Sequence, residues 1–190
     1  MLFRSNEPLL AAVGGNQSVD ALAVAPYFGV PQNISETVVQ SWNLDNVFTA
    51  VCGTSSCAQA RPGSSLNSTF NSLNANRRIA QRYGVDLIGY EGGQHLISTS
   101  ANPTVNNLYI SANGDQRMGE AYRNYWDLWS ASDGEILMHL GYISSWGQFG
   151  SFGLLRHYNE FQVGNGKWNA TMNFITNNNC WWQECARPSN

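Results

Sequence analysis

Residues 85–95 (VDLIGYEGGQH) place an acid at the end of an apolar run in a chain that has few charged residues. Glu91 is followed by two glycines, an amide and His95. A carboxylate at the end of a buried strand can attack an anomeric carbon or stabilise an oxocarbenium charge. A carboxylate that only caps a loop or a helix would give the same pattern, so the sequence leaves both interpretations of Glu91 open.

Two other apolar runs end in aromatic side chains. Residues 19–29 (VDALAVAPYFG) contain Tyr27, and residues 135–143 (EILMHLGYI) lead into a loop that contains Trp146. Such runs are typical of parallel strands covered by helices, and functional groups collect at the carboxyl ends of these strands. We therefore expect Tyr27 to orient the Glu91 carboxylate, and Trp146 to offer a flat apolar face to a sugar ring.

Helical spacing separates these runs. Apolar residues recur at helical intervals over 64–83, where Gly84 is a plausible cap, and again over 113–134, where Asp115 is a plausible N-cap. A last helix is predicted around KWNATMNFI, residues 167–175. The order strand, helix, strand, helix, strand predicts an α/β fold with a parallel sheet. Three strands are too few for a closed eight-stranded barrel, which takes about 250 residues.

Composition narrows the classes of ligand. Charged residues make up 12% of the chain and the net charge is −3, so no basic surface is predicted that would bind nucleic acid. No apolar segment has the length of a membrane span. The three histidines (His95, His139 and His157) lack metal-ligand spacing, and we predict neither a metal site nor another cofactor. A surface rich in amides and aromatics suits a neutral oligo- or polysaccharide partner.

The four cysteines form two pairs with the same spacing, Cys52 with Cys57 and Cys180 with Cys185. Two local disulfides are the preferred interpretation, while a four-cysteine zinc site and four free thiols stay open as alternatives. Disulfides, together with Asn-x-Ser/Thr sequons, predict a secreted or extracellular protein, although the sequence shows no signal peptide.

A family resemblance starts from three motifs in a fixed order: DALAVAPYFG, then VDLIGYEGGQHL, then GDQRMGEAYRNYWDLWSASDGEILMHLGYISSWGQFGSFGLL. Over residues 19–156 this order resembles the C-terminal part of bacterial cellulase-like proteins, among the retaining glycoside hydrolases with a (β/α)8 barrel. The resemblance implies that the three strands are the last three of a TIM-type barrel. It further implies that Glu91 is the nucleophile and that Tyr27 and Trp146 contact the substrate; we add His95 to these contacts.

The resemblance predicts one incomplete domain over residues 1–190: a partial (β/α)8 barrel with a core at 19–156, a long loop insertion at 30–63 and a Cys/Trp tail at 176–190. The first five strands and the expected acid/base glutamate have no counterpart. Glu7, in the tripeptide Asn-Glu-Pro, matches the acid/base motif of many glycosidases but lies too close to residue 19, which indicates a chance match.

Three functions are therefore open: a hydrolase of β-linked glycans, a non-catalytic glycan-binding module, and a truncated inactive fragment. In the last case, the missing strands would leave an exposed sheet edge that favours self-association.

Overall fold

Seven α-helices and four short strands form the regular structure of the residues that the computed structural model describes, 3–162, 164–182 and 185. The helices are α1 (Phe3–Val13), α2 (Glu36–Val39), α3 (Leu44–Cys52), α4 (Ser65–Tyr83), α5 (Pro103–Gly114), α6 (Gln116–Ala131) and α7 (Gly166–Asn177). The strands are β1 (Ala21–Val24), β2 (Tyr27–Phe28), β3 (Asp86–Gly89) and β4 (Gly93–Gln94), and 3-10 turns cover Gly15–Gln17 and Tyr158–Gln162.

The four strands form two separate parallel pairs. β1 pairs with β3, so that Val24 lies opposite Gly89, and β2 pairs with β4, so that Tyr27 lies opposite Gly93. Pro26 separates β1 from β2, because proline has no N–H to donate to a ladder. The first two apolar runs, each predicted as one strand, are therefore two short strands with a break between them.

The prediction of a partial (β/α)8 barrel is wrong. Helices make up 49% of the chain, and the described residues contain only two sheets of two strands each. The third predicted strand, residues 135–143, forms only isolated bridges, Gly89 with Leu137 and Ile143 with Leu155. A strand inside a parallel sheet needs cover on both faces, whereas Ile136 is 52% exposed and Met138 is 56% exposed.

Local capping signals explain the helices that the sequence predicts correctly. The Ser64 side chain accepts a hydrogen bond from Asn67 N–H at the start of α4, and Gly84 ends that helix in the left-handed conformation with φ 67°. Asp115 caps α6 as expected, by accepting from Arg117 N–H. The sequence does not predict the helices α1, α3 and α5. In segment 30–63, expected as a long loop insertion with a short helix that starts near Ser35, α2 follows Ser35 as expected and α3 is additional.

The hydrophobic residues form two clusters. The larger one joins α3, α5 and α6 to β2, and it includes the buried stripe Met118, Tyr122, Tyr125 and Trp126. The smaller one lies around β1, β3 and α4, and it includes Leu22, Leu87 and Trp129. Together they account for the aromatic stripe of α6, which packs in the core.

The last helix, α7, packs against α6 through a contact between two glycines. A Cβ atom added to Gly119 would lie 2.8 Å from the carbonyl oxygen of Gly166. The backbones of the two helices approach closely at this point because neither residue has a side chain. Lys167 follows Gly166 and is fully buried.

The predicted cysteine pairing is confirmed. Cys52 is bonded to Cys57 with their Cα atoms 5.1 Å apart, and Cys180 is bonded to Cys185 with their Cα atoms 5.5 Å apart. Neither the zinc site nor the free thiols are therefore present at these positions. In the predicted tail 176–190, positions 183, 184 and 186–190 lie outside the described residues.

Two disulfides are compatible with an extracellular protein. Among the described residues, no helix combines the length and the apolar character that crossing a membrane requires.

Candidate functional site

The breaks in the two strand runs lie side by side and bring Tyr27 against Glu91. Ala25 and Pro26 separate β1 from β2, and Tyr90, Glu91 and Gly92 separate β3 from β4. Burial raises the pKa of the Tyr27 phenol, and the nearby negative charge of Glu91 raises this pKa further. The two side chains that the sequence assigns to one site thus interact electrostatically.

His95 extends this group on the other side of Tyr27. Its ring lies 5.1 Å from the Tyr27 ring and 5.8 Å from the ring of Phe152, measured between centroids. The backbone fixes His95, whose N–H donates to the carbonyl of Phe28 at 2.7 Å, while its side chain is exposed. Phe152 was not predicted as a site residue; the only sequence signal was its place in the loop SSWGQFGSFG.

A cleft of about 830 Å³ opens beside these side chains. Tyr27, Tyr90 and His95 line one side of it. The other side is a polar face of α4 that carries hydroxyl and amide groups: Ser65, Ser68, Thr69, Ser72 and Asn76. Glu91 interacts with Tyr27 but is not among the described residues that line the cleft.

The two glycines after Glu91 face the protein core. A Cβ atom at Gly92 would collide with the hydroxyl of Tyr125, and one at Gly93 would lie 2.6 Å from Nε2 of His139. Gly93 also has a φ of 118°, which favours glycine. These glycines therefore make room for buried tyrosine and histidine side chains, which accounts for their presence without a substrate.

A hydrogen-bonded chain under the site fixes the backbone after Glu91. The N–H groups of Gly93 and Gln94 donate to the hydroxyls of Tyr125 and Tyr122 at 3.1 and 3.2 Å. The Tyr122 hydroxyl lies 2.8 Å from Nε2 of His139, whose Nδ1 lies 3.1 Å from the carbonyl of Gly141. Burial lowers the pKa of His139 to about 4, so this histidine is neutral near pH 7 and its Nε2 accepts from Tyr122.

Trp146 contacts a different set of residues from those that Tyr27 and His95 contact. Its indole N–H donates to the carbonyl of Gly153 at 3.1 Å. Its ring lies 4.7 Å from the guanidinium carbon of Arg156 and 4.2 Å from Nζ of Lys167. Among the described residues, no ring contact joins Trp146 to Tyr27 or His95. Stacking of a sugar on Trp146 remains a prediction.

Three of the carboxylates that could serve as a second catalytic group are bonded to arginines. Glu7 pairs with Arg82, which removes it from the site. Asp115 lies 2.9 Å from Arg117 and Glu160 lies 3.1 Å from Arg156, and the pKa of each of these two carboxyls is lowered by hydrogen bonds that include the one from its arginine. None of the three is held against Glu91.

No group of three or more His, Cys, Asp or Glu side chains within the described parts of the chain is arranged to hold a metal ion. Comparison of the chain with protein-family models, with curated proteins and with solved structures finds no match. The resemblance to cellulase-like proteins therefore stays a prediction, and function has to be inferred from the site itself.

Proposed function

We propose that the chain binds a neutral oligosaccharide at the cleft beside Tyr27, His95 and Glu91. The observation that carries the proposal is the interaction of Glu91 with Tyr27, a residue that lines a cleft of about 830 Å³. This volume lies within the range of about 300–1,000 Å³ that is typical of ligand pockets. The Glu91 carboxylate accepts hydrogen bonds from sugar hydroxyls, and the aromatic rings offer the faces on which pyranose rings pack.

The chemistry of the opposite wall supports a neutral, hydroxyl-rich ligand. That wall presents the hydroxyls of Ser68 and Ser72, with no charged side chain among the described lining residues. Because only 12% of its residues are charged, the chain also provides few ionic contacts for a strongly charged ligand. The two disulfides fit a secreted protein that meets such glycans outside the cell.

Hydrolysis of β-linked glycans, with Glu91 as nucleophile, is a second candidate. The electrostatic interaction between Tyr27 and Glu91 favours it, because a phenol beside a carboxylate can orient that carboxylate for attack on an anomeric carbon. A retaining mechanism also needs a second carboxyl group about 5–5.5 Å away. Glu7, Asp115 and Glu160 pair with arginines. Because no second carboxyl group among the described residues is assigned beside Glu91, binding is the better supported function.

Titration calorimetry with a panel of soluble β-linked oligosaccharides tests the binding proposal. We expect one class of glycan to bind, and Tyr27→Ala to weaken that binding by about tenfold, as is usual when a central aromatic contact is truncated. Tyr158→Ala is the matched control, since Tyr158 is 78% exposed and does not line the cleft. Absence of binding across the panel, or equal affinities for the Tyr27 and Tyr158 variants, would contradict the proposal.

Turnover of aryl β-glycosides separates the second candidate from the first. If Glu91 is a nucleophile, Glu91→Gln abolishes turnover and leaves glycan affinity largely intact, because only the charge is removed. Glu120→Gln is the control, as Glu120 pairs with Arg123 on the surface. A wild-type protein that binds glycans without hydrolysing them is a binding module.

A further inference from the structure

The chain has a single lysine, Lys167, and it is fully buried. Its Nζ donates to Oδ1 of Asn113 at 3.0 Å and to the carbonyl of Ser151 at 2.6 Å. Nζ also lies 4.2 Å from the centroid of the Trp146 ring. Each of the three N–H bonds of an ammonium group thus has an electron-rich partner.

The partners of Lys167 belong to a buried polar network that includes Gln94. Nε2 of Gln94 donates to the same carbonyl of Ser151 at 2.9 Å. Oε1 of Gln94 accepts from Leu96 N–H at 2.8 Å and lies 3.5 Å from Nδ2 of Asn113. Gln94, Asn113, Lys167 and Ser151 are each no more than 1% exposed. The network is closed to water, and its members satisfy one another.

This network connects the two segments that supply the candidate site. Gln94 follows Glu91 by three residues and precedes His95, while Ser151 precedes Phe152, whose ring contacts His95. Ser151 and Trp146 both belong to the loop 144–154. The single amino group of Lys167 therefore reaches that loop at two points, the Ser151 carbonyl and the Trp146 ring.

Stability alone does not explain a lysine at this position. Burial drives the pKa of Lys167 well below its ordinary value of 10.5, and the positive charge of Arg156 lowers it further, while Glu160 opposes both effects. An apolar side chain of similar length would avoid the cost of desolvating an amine. Unlike a hydrocarbon side chain, the amino group fixes the positions of the groups that accept its hydrogen bonds.

We propose that Lys167 is a positioning residue that fixes the loop 144–154 against the strand segment after Glu91, and so sets where Phe152 and Trp146 lie. The part of this inference that concerns glycan affinity rests on the proposed function. The part that concerns the loop does not. Lys167 does not touch the candidate ligand; it acts through Ser151, Trp146 and Gln94.

Hydrogen exchange of the loop tests the positioning role directly. In Lys167→Met we expect amides of residues 144–154 to exchange about tenfold faster or more, while α3 is unchanged, because only the local network is opened. The ring resonances of His95, which Lys167 does not contact, should shift as Phe152 moves. Asn173→Ala is the matched control, since Asn173 is exposed on the same helix. Faster exchange everywhere, or none in the loop, would overturn the inference.

A second variant keeps the test decisive if Lys167→Met does not fold. Asn113→Ala retains the lysine and removes one of its acceptors. Because Lys167 is the only lysine, an amine-reactive reagent labels only this side chain and the amino terminus, and mass spectrometry resolves the two. We expect Lys167 to be labelled about tenfold faster in Asn113→Ala than in the wild type, since the network then opens more often. Equal labelling rates would overturn the inference.

Glycan titration connects the loop to the proposed function. We expect a loosened loop to weaken glycan binding by about tenfold, as ordering the loop becomes part of the cost of binding. A wild type that binds no glycan would remove the proposed function and leave the exchange result to decide the positioning role. Full affinity in a variant with a loosened loop would overturn the connection between Lys167 and the site.

Discussion

The carboxylate of Glu91 lies near enough to the phenol of Tyr27 for its negative charge to raise the pKa of that phenol, across facing breaks in two adjacent parallel strand runs. Tyr27 follows the break at Pro26, and Glu91 lies within the break that ends at Gly93. Breaks of this kind turn side chains away from the regular alternation of a strand. The position of Glu91 thus depends on where two neighbouring segments stop pairing, as well as on the strand that precedes it.

Replacing Glu91 by Gln should lower the pKa of Tyr27. The negative charge of Glu91 raises that pKa, and this charge is lost in the amide. Titration of protein carrying ¹³Cζ-labelled tyrosine measures this, with Tyr27→Phe to assign the resonance. Tyr109 is an internal control, because burial and Glu36 raise its pKa to about 12 without involving Glu91. An unmoved Tyr27 titration would mean that the two groups do not interact in solution.

Stability should fall as the pH drops from about 6.5 towards 4, because of His139. Burial lowers the pKa of His139 from 6.5 to about 4, so in this window the unfolded chain binds a proton that the folded chain does not. The stabilisation that neutral His139 provides is fully present above the pKa of the unfolded chain, and it is lost as the pH falls to the pKa of the folded chain. The total loss in the free energy of unfolding is on the order of 3 kcal/mol. Urea unfolding at pH 7 and pH 5 measures it. His139→Gln, which retains an acceptor for Tyr122, should show a flatter profile.

Glu36 should prove to be a structural carboxylate that ties α2 to the segment before α5. It accepts hydrogen bonds from the hydroxyls of Ser98, at 2.9 Å, and of Thr99, at 3.0 Å, and from that of Ser100. These bonds lower its pKa to about 2, so their contribution is present above pH 4.5 and is lost as the pH falls towards 2. Glu36→Gln should cost about 1–2 kcal/mol in urea unfolding at pH 7.

The control for Glu36 is Glu120→Gln, which removes an exposed ion pair with Arg123. A surface pair of this kind is worth about 1 kcal/mol at most. Hydrogen exchange should also increase at residues 98–102 in the Glu36 variant and stay unchanged there in the Glu120 variant. Equal losses of stability in the two variants would show that the bonds of Glu36 add nothing beyond a surface carboxylate.

The two disulfides offer a comparison at constant loop length. Both close a separation of five residues, so the chain-entropy part of their stabilisation is the same, about 2 kcal/mol each. Cys52 and Cys57 are fully buried in the larger cluster, whereas Cys180 and Cys185 are partly exposed. Replacing the first pair by alanine should therefore lower the stability more, by the packing that the core loses. Thermal unfolding of the two double variants decides this; equal losses would mean that burial at Cys52 and Cys57 contributes nothing.

Features that are encoded over a few residues were predictable. Ser64, Gly84 and Asp115 are the residues that bound α4 and α6, and each acts as a cap through contacts within one turn. The helix α5 was missed even though Asn102 and Pro103 are a cap and a first-turn proline, because its Asn- and Ser-containing sequence shows little periodicity. The predicted strands are longer than the observed ones, because an apolar run does not show where strand pairing stops.

The residues of the candidate site also comprise some that the sequence predicts and some that it does not. Tyr27, Glu91 and His95 end two apolar runs, and parallel pairing of those runs is enough to group them. Phe152 and Lys167 reach the same neighbourhood through tertiary contacts over 57 residues, from Gln94 to Ser151, and over 54 residues, from Asn113 to Lys167. No local pattern carries information about contacts of that range.

The close contact of α6 with α7 restricts how this sequence can diverge. Any side chain at Gly119 or Gly166 would push the two helices apart, so neither position can change alone while the packing is kept. A related chain with larger residues at both positions must dock its last helix at a different distance. In such a relative, the residue at position 167 would lose its partners on α5 and on the loop, and selection for lysine there would be relaxed. A pair of glycines is thus the signature by which relatives with the same buried lysine can be recognised.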